Sequence, residues 1–359
     1  WKPKEFNQRG PVMDDEVLEV LSTRFPAAVM MREYFEAEKQ AAEIGGDGGW
    51  LKNLDDQGRV HGRVRSLGAY TQRMAHSQPN MAKIPKAPGF RDLWIARPGW
   101  WLVGCDGEGI QARGMAHYLH PWDGGHYARI IDQGRKEDRS DIHSLNVSGI
   151  EKEVGWPAEM AFGHQRDTAK NCNYAVYFGA QDPRLGATYK AGILNYAGLR
   201  PPRVPNRELG GAIRRGISHN MRGLFFPTPK RSKSLSELVE ETTKKRKWLK
   251  GLDGRRLHPP SPRLALVTLI QSFEAIVMKT ALRIWADEMA PKAGLEYGVH
   301  WEMVANVHDE IQFQCPAERM ARHVGRRFAH CIWLAGRRLK ALCPLKGDFK
   351  VGRNWHETH

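Results

Sequence analysis

Apolar and polar positions divide the chain into segments of unlike period. Residues 1–60 read as an extended entry followed by helix, with Asp14, Asp15 and Glu16 as acidic start signals and Gly45–Gly49 as a break. From Val60 to Ile84, turn residues alternate with short β-prone pieces. Gly99-Trp-Trp-Leu-Val-Gly-Cys-Asp106 is an apolar run of the kind that forms a buried strand, and it leaves Asp106 at the strand's end. Helical spacing follows over 109–120 and again over 141–180, where Gly155, Pro157, Gly179 and Pro183 interrupt it. Residues 198–262 are rich in Pro, Gly and basic side chains, and the run Lys244-Lys-Arg-Lys247 reads by itself as a solvated helical face. A long amphipathic helix is predicted over 263–289. Trp301–Val307 and Ile311–Cys315 are two β-like runs around His308-Asp309-Glu310, a hairpin signal that lacks the usual Asn-Gly turn. No internal repeat is apparent.

Composition narrows the class. With 359 residues, 41% of them hydrophobic, the chain can bury a sizeable core and form two or three subdomains. No unbroken apolar run approaches the roughly 18 residues of a membrane span, so no membrane partner is expected. The five cysteines, Cys105, Cys172, Cys315, Cys331 and Cys343, show no Cys-x-x-Cys pair, which argues against a zinc site or a disulfide framework and fits a reducing compartment. Lys and Arg number 55 against 40 Asp and Glu, a net charge of +15. Such a surface attracts polyanions, and nucleic acid is the first partner to consider.

Joining a nucleoside triphosphate to a 3′-hydroxyl calls for one metal that activates the hydroxyl and another that neutralises the leaving pyrophosphate. Two aspartates from distant segments, each at a strand end or turn, suit magnesium, and Asp106 and Asp309 meet that description. Taken singly, each is more often a turn residue or a helix cap. A sharper signal lies in Arg166-Asp-Thr-Ala-Lys170-Asn-Cys-Asn-Tyr174-Ala-Val-Tyr177-Phe178-Gly179. Arg166, Lys170 and Tyr174 fall on one helix stripe, to which Tyr177 nearly returns. Cations followed by aromatics can hold a triphosphate at one end and stack a base at the other, and Lys170 can protonate the pyrophosphate.

The order of strand-end aspartate, basic and aromatic helix, and His-Asp-Glu hairpin resembles motifs A, B and C of family A DNA polymerases. Within the family it is most similar to the replicative branch of T-seven-like phages. Further stretches carry the resemblance: Asp14-Asp-Glu-Val-Leu-Glu19, Pro79-Asn-Met-Ala-Lys-Ile-Pro85, Asp141-Ile-His143, Trp248-Leu-Lys-Gly-Leu-Asp-Gly-Arg255 and Val307-His-Asp-Glu-Ile-Gln312. The resemblance implies two Mg²⁺ ions on Asp106 and Asp309, with the Gly107 carbonyl also available and Glu310 as a supporting carboxylate. It implies that Arg166, Lys170 and His143 grip the dNTP triphosphate and that Tyr174 stacks on the incoming base. His308, Arg73, Gln271 and Arg255 would face primer-template DNA.

Several positions depart from the family pattern. Gln111 stands where a Glu usually blocks the ribose 2′-hydroxyl, and Phe178 stands where a Tyr usually bonds that Glu. The paired change avoids leaving a buried charge without its partner, and Gln111 is expected to exclude ribonucleotides by bulk. Tyr174 replaces a common Phe, which implies ready use of dideoxynucleotides. Val267 stands where Asn is usual, and Gln72 where Gly precedes the arginine.

The expected architecture is α+β, a right-hand polymerase fold. Its antiparallel-sheet palm would come from 61–119 and 268–359, its helical fingers from 120–267, and a thumb remnant from 1–60. The proofreading exonuclease and most of the thumb would precede residue 1, so a separate exonuclease or thumb polypeptide, or a processivity factor, is an expected partner. The resemblance places the chain in the cytoplasm of a phage-infected bacterium. A single-subunit RNA polymerase fits less well, since that family has Gly, Tyr and Ser where Gln111, Phe178 and Glu310 stand. A two-metal nuclease leaves the triphosphate-binding stripe unexplained, and a catalytically idle DNA-binding subunit leaves Asp106, Lys170 and Asp309 unexplained.

Overall fold

The computed structural model describes residues 6–7, 10–22, 25–86, 88–196 and 199–359. The chain separates into two compact units, Trp1–Val64 with His76–Lys83, and Arg65–Ala75 with Ile84–His359.

In the first unit a short antiparallel ribbon, β1 (Phe6–Asn7) with β2 (Gly10–Pro11), precedes helices α1 (Asp15–Ser22) and α2 (Pro26–Gly45). The acidic start signal works locally, because the Asp14 carboxylate accepts the Val17 amide at 2.9 Å. Pro26 opens α2, where its missing N–H goes unused, and the predicted glycine break ends the helix. Leu18, Leu21 and Ala28 form a small apolar cluster. The division between the units falls within a ribbon of β3 (Arg63–Arg65) and β4 (Ala75–Ser77).

The second unit is built on a four-stranded antiparallel sheet. Its strands are β5 (Trp101–Gly107), β8 (Glu302–Val307), β9 (Glu310–Cys315) and β10 (Gly347–Gly352), in the order β10-β5-β9-β8. Between β5 and β8 come two short strands, β6 (Leu249–Lys250) and β7 (Arg256–Leu257), paired with each other. On central strand β9 the side chains alternate strictly. Ile311, Phe313 and Cys315 enter the apolar core, while Glu310, Gln312 and Gln314 are buried on the polar face.

Among the described residues, seven helices lie between β5 and that hairpin before the chain returns to the sheet. They are α3 (Ile110–Asp123), α4 (His126–Gln133), α5 (Ile142–Glu153), α6 (Phe162–Tyr177), α7 (Asp182–Leu194), α8 (Asn206–Ser218) and α9 (Leu235–Arg246). They enclose a second core that includes Leu119, Ile150, Leu185 and Ile213. Helices α5 and α8 cross in near-backbone contact, since a Cβ on Gly149 would lie 2.3 Å from the Gly216 carbonyl oxygen. Helix α10 (Ala265–Ile284) runs on through a π-helical turn, Trp285–Met289, into α11 (Ala290–Lys292). Helix α12 (Glu318–Arg338) packs on β5, β9 and β10 and against α10.

One expectation changes here. Residues 262–292 are long and apolar enough on average to cross a membrane, although no unbroken apolar run is present. Fifteen of the twenty residues of α10 are nevertheless buried in the protein, so its apolarity serves the core, and the helix is less amphipathic than its pattern predicts. The Pro, Gly and basic stretch 198–262 contains α8 and α9. The latter is started by a capping box in which Ser234 and Glu237 bond each other's backbone N–H groups.

Candidate active site

Asp106 occupies the last turn of strand register on β5. It lies opposite Glu310 on β9 and opposite Asp348 on β10. Asp309 sits in the two-residue turn that joins β8 to β9, Val307 pairing with Glu310 across it. The turn works without glycine because His308 takes the left-handed conformation itself, with φ +59°, at a strain of about 1 kcal/mol. The Gly107 N–H donates to the Asp309 carbonyl oxygen at 3.1 Å, which fastens the two aspartates' backbones to each other.

The electrostatics of this end are those of crowded acid. Burial first, then the charges of Asp309, Glu310, Glu274 and Asp348, push the Asp106 carboxyl up to about 8. Asp309 is raised to about 6 by burial and then by Glu274, against the pull of Arg73 and His308. Glu310 is turned away from solvent. Its carboxylate accepts from Trp355 Nε1 at 2.6 Å and from Gln312, and it pairs with His359 Nδ1 at 2.8 Å. Among the described residues no three His, Cys, Asp or Glu side chains form a ready metal cage. Two hard, repelling carboxylates that a cation would relieve are nonetheless the donor set that suits magnesium.

Helix α6 supplies the basic side. Arg166 is half-buried and donates to Asp141, Nη2 to Oδ1 at 2.8 Å. Asp141 also caps α5 by accepting the His143 amide. Lys170 is exposed one turn on. Burial, then Arg166 and Lys170, lower the His143 imidazole to about 4, so it is neutral at pH 7 and its buried Nδ1 has no hydrogen-bond partner. Its ring lies 6.1 Å from that of Tyr174. Tyr174 stacks on the exposed Phe178 at 6.5 Å, and both line an open cavity of about 490 Å³ between α6 and α7. Burial raises the Tyr174 phenol, and Asp309 and Asp106 raise it further. The aromatic end of the stripe therefore stands in the field of both aspartates. Tyr177 does not belong to the exposed stripe, because it is buried with its hydroxyl bonded to Tyr127 and Asn173.

Arg73, expected at duplex DNA, and Gln111, expected at the nucleotide, meet on one acid that the sequence reading missed. Glu274, fully buried on α10, accepts from Arg73 Nε at 2.8 Å and Nη2 at 2.6 Å, and from Gln111 Nε2 at 2.8 Å. Gln271 lies three residues earlier on the same helix. Arg255 bonds Asp253, and its Nη1 lies 3.3 Å from Gln72 Oε1. Asp348 was also missed. A lone acid inside the apolar run Val267–Ile284 was a legible signal for Glu274, since a buried charge must find a partner.

Comparison with known proteins decides the family. The profile of DNA polymerase family A matches residues 2–195. The chain belongs to DNA polymerase family A. It is 32% identical to the DNA-directed DNA polymerases of Enterobacteria phage T3 and Escherichia phage T7, each match spanning all of this chain. It is 24% identical to the thermostable DNA polymerase I of Thermus aquaticus over 94% of this chain. The chain spans about half the length of the phage relatives and 37% of the Thermus enzyme. Its fold resembles the POL domain of Pol1 from M. smegmatis, solved in complex with DNA primer-template and dNTP. That match has a TM-score of 0.74 and 18% identity, and covers 99% of this chain and 58% of the other. The fold is therefore the α+β right-hand polymerase fold of family A.

Proposed function

We propose that this chain carries the nucleotidyl-transfer centre of a DNA-directed DNA polymerase, adding dNTPs to a primer 3′-hydroxyl. The observation that carries this reading is the Gly107–Asp309 backbone bond that brings the two aspartates' strand ends together, with Tyr174, whose phenol both acids raise, on the helix that also bears Arg166 and Lys170. A carboxylate pair and a triphosphate-binding stripe thus serve one reaction.

Two Mg²⁺ ions on Asp106 and Asp309, with the Gly107 carbonyl, would activate the attacking hydroxyl and neutralise charge on the pyrophosphate. Arg166 releases Asp141 to bind phosphate oxygens, and neutral His143 donates a hydrogen bond beside it. Exposed Lys170 holds the phosphates and gives a proton to the leaving pyrophosphate. Tyr174 stacks on the incoming base, with Phe178 beside it and room in the adjoining cavity. Gln111 borders the sugar. Glu310, held by Trp355 and His359, supports the hairpin from behind. Arg73, Gln271, His308 and Arg255 face the duplex, where groove acceptors common to every correct pair are read.

In these terms residues 61–119 and 268–359 serve as palm, 120–267 as fingers and 1–60 as part of a thumb. Primer-template DNA and dNTPs are the ligands, a separate exonuclease, thumb or processivity polypeptide is a partner to look for, and a bacterial host cytoplasm is the setting. Primer extension with Mg²⁺, compared with Asp106→Ala and Asp309→Ala, tests this function. Extension by the wild type alone supports it. No extension, even with added host or phage fractions, favours a catalytically idle DNA-binding subunit.

A further inference from the structure

Among the described residues, Glu274 is the fully buried carboxylate that the proposed chemistry does not use, and it joins two side chains that do different work. Its two oxygens accept three hydrogen bonds, two from the Arg73 fork and one from the Gln111 amide. A bidentate guanidinium–carboxylate pair fixes a plane as well as a distance. Arg73 is therefore held with its Nη1 edge left over, since only Nε and Nη2 face Glu274. The loop that carries Arg73 is pinned as well: Lys279 Nζ donates to the carbonyl oxygens of Ser66 and Gln72, and Arg255 reaches Gln72. Gln72 adopts φ +64°, which turns the chain sharply just before Arg73.

The effect on Gln111 is orientational. A carboxylate cannot donate, so the amide must offer Glu274 its NH₂ end and carry its carbonyl away from Glu274. That carbonyl oxygen is buried and has no hydrogen-bond partner. A free glutamine would turn over or relax to avoid an unpaired buried acceptor. Glu274 prevents it. The same geometry accounts for an amide at position 111, because a carboxylate there would stand against Glu274 at hydrogen-bond distance, and one of the two would have to take up a proton.

We propose that Glu274 is a positioning residue for substrate selection, setting the Arg73 guanidinium against the duplex and the Gln111 amide against the nucleotide sugar. This rests on the polymerase function proposed above. One acid thereby links pairing recognition at the primer terminus to sugar recognition at the incoming nucleotide.

The test compares wild type, Glu274→Gln, Gln111→Glu and the exchanged pair Gln111→Glu/Glu274→Gln. Three quantities are measured: the ratio of kcat/KM for deoxy- over ribonucleotides, the ratio for matched over mismatched primer ends, and the thermal midpoint. Glu274→Gln should shift both selectivity ratios by about tenfold, the effect of one net hydrogen bond. Gln111→Glu alone should lower the midpoint. The exchanged pair restores a carboxylate–amide contact, so it should recover the midpoint and the sugar ratio but not the primer-end ratio, because Arg73 still lacks its carboxylate at position 274. Wild-type ratios in Glu274→Gln, with only the midpoint changed, would reduce Glu274 to a structural ion pair and overturn the proposal. Failure of the wild type to extend any primer overturns the polymerase function first, and the proposal with it, and is seen before any variant is made.

Discussion

Asp106 on the sheet and Arg166 on α6 differ in what surrounds them. Arg166 already has a counter-ion, since Asp141 accepts from it at 2.8 Å and serves as a helix cap at the same time. Burial, and then the charges of four neighbouring carboxylates, raise the Asp106 carboxyl to about 8. Arg166 is thus electrically satisfied before any ligand arrives and must exchange one anion for another. The acidic side is frustrated and gains from any cation. Binding of phosphate to α6 should be weak and exchangeable, whereas the sheet should bind a divalent ion because the fold has crowded its acids.

The largest test of this contrast removes the acids. Asp309→Ala or Asp106→Ala should lower the primer-extension rate by about a thousandfold or more, because several kcal/mol of charge stabilisation in the transition state go with the ligand. Lys170→Ala should lower kcat by about a hundredfold with a smaller change in KM, the signature of a lost proton donor. Arg166→Ala should act mainly on KM for dNTP, raising it by about tenfold, since the Asp141 contact already offsets part of the arginine's affinity. A kcat effect from Arg166→Ala as large as that from Lys170→Ala would dissolve the distinction between holding and reacting groups. Tyr174→Phe should increase discrimination against dideoxynucleotides by about tenfold, measured as the ratio of kcat/KM values.

The smallest effect is on stability. The Asp106 carboxyl titrates higher in the fold than its ordinary value near 3.8. Its favourable contribution is therefore complete below that value and is lost as pH rises through about 8. In metal-free buffer, Asp106→Asn should raise the thermal midpoint by about 2 °C at pH 8.5 and leave it unchanged at pH 4. Mg²⁺ should stabilise the wild type more at pH 8.5 than at pH 5, and the variant less at both. A calorimetric scan at the two pH values decides the matter.

How far the sequence speaks depends on how local the determining contacts are. The β5 run, the α6 stripe and the β8–β9 hairpin were legible because each rests on periodicity within a dozen residues, and the hairpin formed even without glycine because His308 accepts φ +59°. The edge strand β10 escaped notice, its alternation being short and bounded by Gly347 and Gly352. Helix α9 is announced by Ser234-Leu-Ser-Glu237, which a reading by composition passes over. Glu274 is the instructive omission. Its charge was visible, but Arg73 lies 201 residues away in the chain and Gln111 lies 163 away, so its partners are set by tertiary packing alone. Tyr177 erred in the opposite direction. Helical spacing brought it near the stripe, yet Tyr127 draws its hydroxyl into the core.

The hydrogen bond from the Gly107 amide to the Asp309 carbonyl joins the two aspartates through main-chain atoms that every residue but proline possesses. Substitution at neighbouring positions such as 111, 178 and 274 leaves that bond in place. On the proposed function, substitution can rewrite what this site accepts without moving the acids that hold the metal.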